Sequence, residues 1–65
     1  MGKSERAELL DVTWRRFVDI RDLADSALGA RKLKNPSIEN LEDIADEIFK
    51  DLETLDKVIE RLLER

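Results

Sequence analysis

From Ile38 onward the chain repeats one pattern without a break. Ile38, Leu41, Ala45, Ile48, Leu52, Leu55, Ile59 and Leu62 follow one another at separations that alternate between three and four residues. Only a helix gathers such positions on one side, and more than three uninterrupted heptads describe the seam of coiled-coil-like packing. A strand would require strict alternation, which the chain never settles into. Ile44 and Val58 flank one side of this seam, and Phe49 and Leu63 flank the other. The first half carries a looser version. Leu10, Phe17 and Ala24 share one heptad position, and Thr13, Ile20 and Ala27 share another. Leu9 and Leu23 lie on one shoulder, Trp14 and Leu28 on the opposite one.

Gly29 and Pro36 punctuate the middle of the chain and bracket a basic stretch containing Arg31, Lys32 and Lys34. Glycine past a helix end and proline at the next helix start are the usual stop and start signals. Gly29 in the left-handed conformation would end the first helix. Asn35 with Pro36, or Ser37 almost equally well, would cap the second, and Ser4 would cap the first. The expected organisation is one all-α domain: helix 1 over about 4–28, a basic loop over 29–35, and helix 2 over about 36–64, folded as a two-helix antiparallel hairpin.

The width of the apolar arcs sets the next expectation. At about 100° per residue, each arc covers roughly half the helix circumference. A lone pair of helices needs only a narrow stripe on each, whereas a helix with two neighbours needs the wider face. A chain of 65 residues is also short for a self-sufficient core. Dimerisation of two hairpins into a four-helix bundle answers both points.

Charge is distributed unevenly. Residues 1–35 hold eight basic and six acidic side chains, net +2, and residues 36–65 hold four basic and ten acidic, net −6. Helix 1 should therefore prefer helix 2 as its close neighbour, within or between chains, although screening keeps the effect modest. Asp11 with Arg15, Arg15 with Asp19, Asp46 with Lys50, and Glu53 with Lys57 have helix-stabilising spacing. Arg16 and Arg21 sit near the apolar arc. Either their stems cover the core edge while their heads stay wet, or they serve an anion or a partner-facing ion pair.

Most site chemistry is excluded by what the chain lacks. It contains no His, Cys, Gln or Tyr. No disulfide, thiolate nucleophile or imidazole base can be built, and the usual transition-metal ligands are missing. The acidic run Glu42, Asp43, Asp46 and Glu47 reads as a solvated face, so no metal or other cofactor is expected. Arg21 and Lys32, eleven residues apart, are similar in type and spacing to the substrate-binding cations of all-helical chorismate mutases. The polar residues such a site needs in the second half have no counterpart, the corresponding stretch being Ile44 and Ala45. No enzymatic activity is expected.

Nucleic acid is disfavoured as a partner by the net charge of −4 and by the lack of a basic stripe interleaved with aromatics. A membrane surface is disfavoured by the acidic polar face of helix 2. No apolar run exceeds two residues, so nothing reads as a signal-peptide core or a transmembrane segment. A cytoplasmic chain is the default expectation. The remaining function is association. The expected interface comprises Leu10, Trp14, Phe17, Val18, Ile20, Leu28, Ile44, Ile48, Phe49, Leu52, Leu55, Ile59 and Leu62. The first expectation is a homodimeric bundle; the alternative is a monomeric hairpin that offers the apolar face of helix 1 to a different helical protein. Four missing residue types, apparent caps and a nearly faultless heptad also fit a designed or engineered hairpin, although Thr13, Ser26 and Ala27 near the inner face are less idealised.

Overall fold

Two α-helices, α1 (Lys3–Gly29) and α2 (Ile38–Leu63), fold back on one another in the computed structural model, which describes residues 3–64. A 3-10 turn over Ala30–Lys32 and a short irregular link join them. The chain is all-helical, with no strand among the described residues, and forms a hairpin 51 Å long. Two cross-helix pairs fix the antiparallel register: Glu5 near the start of α1 meets Arg61 near the end of α2 at 2.8 Å, and Arg16 meets Asp51 at 3.0 Å.

The helix ends differ in detail from expectation. Gly29 remains right-handed (φ −57°, ψ −30°), and α1 runs directly into the 3-10 turn, because Ala30, Arg31 and Lys32 are good helix formers. Arg31 Nε donates to the Leu28 carbonyl at 3.3 Å, satisfying one terminal acceptor without a left-handed glycine. Leu33 is the first extended residue (φ −87°, ψ 141°). Ser37, not Asn35, caps α2, its Oγ accepting from the Asn40 backbone N–H at 3.2 Å. Pro36 therefore stands just outside the helix. Ser4 lies inside α1, which already includes Lys3.

The hairpin seam is turned relative to the predicted one. On α1 the seam runs through Leu9, Thr13, Arg16, Ile20, Leu23 and Ala27, all buried or half-buried, with Glu5, Leu10 and Ala24 half-buried beside it. On α2 it runs through Leu41, Ile44, Ile48, Asp51, Leu55, Val58 and Leu62, with Thr54 and Ile59 half-buried beside it. Both sets keep heptad spacing. Half of the expected α2 seam is retained, through Leu41, Ile48, Leu55 and Leu62. Ile38, Ala45 and Leu52 instead face outward, as does Phe17 on α1. The physical reason is the width of the arc. Given a single neighbour, each helix presents one flank of its arc, and the Arg16–Asp51 pair holds that rotation.

The core so formed is small. Leu55 and Thr13 are the only buried residues among those described, and each keeps a few per cent of its surface exposed. The Thr13 hydroxyl donates to the Leu9 carbonyl one turn earlier at 2.8 Å, so its burial leaves no unpaired polar group.

Candidate association surface

The two long sides of the hairpin have opposite character. On one side lie Glu5, Asp19, Asp22 and Ser26 from α1, and Glu47 and Arg61 from α2. Here Arg61 Nη2 bonds Glu5 Oε1. The neighbouring guanidinium holds the Glu5 carboxyl below the usual glutamate range, and the carboxylate raises the Arg61 guanidinium in turn. On the same side an open groove of about 440 Å³ is lined by Arg16, Asp19, Asp22, Leu23, Ser26, Glu47 and Asp51. The carboxylates outnumber the single guanidinium there, and Arg16 is already committed to Asp51.

The other side is apolar. One residue beyond each seam position, in the same rotational sense on both helices, runs a second heptad stripe. On α1 it is Leu10, Phe17 and Ala24, widened by Trp14 and Leu28. On α2 it is Ile38, Ala45, Leu52 and Ile59, widened by Phe49 and Leu63. Because the helices are antiparallel, equal rotation turns both stripes to one side of the pair. The groove residues occupy the opposite rotation on both helices, which fixes the sidedness independently. Three charges interrupt this face: Arg21 on α1, and Glu42 and Asp56 on α2.

Much of the face is open to solvent. Trp14 is 60 % exposed, Phe49 62 % and Leu63 75 %. Trp14 and Phe17 lie with ring centroids 6.4 Å apart and planes tilted by 31°, within the range of favourable aromatic pairs. The register puts Trp14 at about the level of Leu52, and Phe17 level with Phe49, so the aromatics cluster near the middle of the hairpin. The chain exposes 5532 Å² in all, against roughly 4,300 Å² for a compact monomer of this mass. The excess, about 1,200 Å² per chain, exceeds the roughly 800 Å² that each partner of a standard stable interface buries.

The predicted interface residues divide into two groups. Ile20, Ile44, Ile48, Leu55 and Leu62 are taken up by the hairpin seam, and Leu10 and Ile59 are half-buried at its apolar edge. Trp14, Phe17, Val18, Leu28, Phe49 and Leu52 are exposed and off the seam. Sequence reasoning placed Leu9 and Leu23 on a shoulder, whereas both lie in the seam. It also missed Asp51 as a seam position. The signal was available, since Asp51 stands three residues after Ile48 and four before Leu55. Arg21 directs its head to Asp22 at 3.4 Å on the solvent side, and Lys32 ends the 3-10 turn on a separate element. Asp11–Arg15 forms at 3.0 Å as its spacing predicts, while Lys50 approaches Glu47 at 3.8 Å. No helix among the described residues is long and apolar enough to cross a membrane. The chain matches no protein-family model, no curated protein and no solved structure.

Proposed function

We propose that the chain is a non-catalytic association module whose apolar side meets the same side of a second copy, completing a homodimeric four-helix bundle. The observation that carries this reading is the second heptad stripe, present on both helices and turned to one side of the hairpin. In sequence, the apolar arc of α2 is centred between its two stripes, on the line from Leu41 to Ala45 and Ile48 to Leu52. A helix whose arc is centred there, and whose hairpin partner occupies only one flank, has room for a neighbour on the other. Excess surface supports the same reading, because a second copy would remove the stripe on both helices from water at once.

A different protein binding helix 1 alone would leave Phe49, Leu52 and Leu63 of α2 uncovered, so the stripe on α2 favours self-association. Absolute mass by light scattering or sedimentation equilibrium tests the proposal. A mass near twice 7.6 kDa, retained into the low micromolar range and accompanied by a Tm that rises with protein concentration, is the expected result. A monomer up to millimolar concentration would overturn it.

A further inference from the structure

Resting on that self-association, we infer the topology of the bundle: the two hairpins meet with their loops at the same end, so that α1 stacks on α2 of the partner subunit and Arg21 pairs with Glu42 of the partner subunit. Two hairpins joined through one shared face have two symmetric arrangements. If the two-fold axis runs along the helices, the loops coincide and α1 faces the other copy's α2. If it runs across them, the loops lie at opposite ends, and each helix faces its own copy.

The three charges within the apolar face separate these arrangements. The Glu5–Arg61 and Arg16–Asp51 pairs set Arg21 level with residues 45 and 46 of α2. A two-fold along the helices preserves that level, so Arg21 comes between Glu42 of the partner subunit and Phe49 of the partner subunit. One helical turn, about 5.4 Å, is within reach of an arginine side chain. Arg21 can respond, since among the described residues of the hairpin its one ionic contact is a long, exposed one to its chain neighbour Asp22. Asp56 comes level with Asp11 of the partner subunit, whose charge Arg15 offsets at 3.0 Å.

The crossed arrangement lacks this match. It runs α2 against its own copy about the middle of the helix, which brings Glu42 close to Asp56 of the partner subunit twice per dimer. It also apposes two helices that each carry −6. The arrangement with coincident loops instead sets each −6 helix against an α1 whose five basic and six acidic side chains leave it at only −1.

A label at the loop reads the topology directly. The chain has no cysteine, so Lys34→Cys takes a single nitroxide, and pulsed electron-electron resonance measures the distance between copies. Coincident loops predict one population at roughly 15–30 Å, set by helix layers about 10 Å apart and the label tethers. Loops at opposite ends would give a distance approaching the 51 Å length of the hairpin and would overturn the topology while leaving the dimer standing. A monomeric mass would overturn the self-association reading beneath it. Charge reversal supplies a second readout of opposite sign. Glu42→Arg should weaken dimerisation about tenfold, and combining it with Arg21→Glu should restore the wild-type dissociation constant. Tightening by Glu42→Arg alone would mean that Glu42 faces Asp56 of the partner subunit, and the topology would fall.

Discussion

Arg16 Nη1 donates to Asp51 Oδ1 at 3.0 Å across the hairpin, from two positions that the heptad otherwise gives to apolar side chains. Asp51 is the more enclosed of the two, with its side chain 14 % exposed against 39 % for Arg16. An ion pair at this depth gains little over two apolar residues, because desolvation offsets most of its Coulombic attraction. Its effect is on selection. Any slip of one helix past the other, or any rotation that turned one partner outward, would strand the other charge at the seam. The pair thus fixes both the register of the hairpin and which flank of each arc remains open.

Replacing Asp51 alone with Leu should destabilise the protein by about 1–2 kcal/mol, since Arg16 is then left at the seam without its acceptor. The double substitution Arg16→Leu with Asp51→Leu should recover that loss or exceed it. Urea unfolding at one fixed protein concentration measures both. A single variant as stable as the double would show that the pair is not coupled.

The helical hairpin was legible because heptad spacing and the Gly29-to-Pro36 interval are local signals. The rotation of the seam was not. Leu52 and Leu55 belong to the same wide arc and are equally apolar, so periodicity cannot say which of them meets α1. What decides is a contact between residues 35 apart, Arg16 and Asp51, and although each stands at heptad spacing, the period alone does not say that the two meet. The helix ends were read imperfectly for a related reason. Ser37 and Asn35 are both competent caps, and the choice depends on how Pro36 and the extended Leu33 route the link.

Leu55 and Leu52 provide the corresponding test. Leu55→Asp buries a charge among the seam residues and should abolish helicity at every accessible concentration. Leu52→Asp strikes the outer face. It should raise the dimer dissociation constant by at least about 100-fold, as two leucine side chains per dimer lose their burial, while helicity returns at high protein concentration. Circular dichroism across a dilution series distinguishes the two. Equal loss of helicity from both variants at all concentrations would mean that Leu52 belongs to the seam after all.

Trp14 reports on the same face without any substitution. It is the single tryptophan and is 60 % exposed in the hairpin, so covering the apolar side should shift its emission to the blue. The shift should reverse on dilution, with the midpoint found by sedimentation. Trp14→Ala should weaken association strongly, because a large aromatic near the centre of a patch is the usual hot spot. An emission maximum that stays fixed while the mass halves would place Trp14 outside the interface.

Ser37 offers a prediction independent of association. Its Oγ accepts from the Asn40 N–H at 3.2 Å, so Ser37→Ala should cost about 1 kcal/mol and Ser37→Asp should be nearly neutral. Chemical denaturation of the three proteins at matched concentration checks the order. Indifference to the alanine would mean that solvent satisfies the first turn of α2 equally well.

The Glu5–Arg61 pair sets a pH dependence with a definite sign. Arg61 donates to Glu5 at 2.8 Å and holds its carboxyl below the usual glutamate range. A carboxyl whose folded pKa is depressed binds its proton more readily in the unfolded chain. Its stabilising contribution is therefore present above the unfolded pKa and is lost as pH falls through the folded one. Glu5→Gln should lower Tm slightly at neutral pH and leave it unchanged in acid below the folded pKa of Glu5, where the wild-type carboxyl is protonated as well. The neutral-pH difference should also shrink in high salt, since the pair is exposed at the hairpin end. Thermal melts of both proteins at the two pH values decide it. A difference that persisted in acid would have to come from the loss of something other than the ion pair.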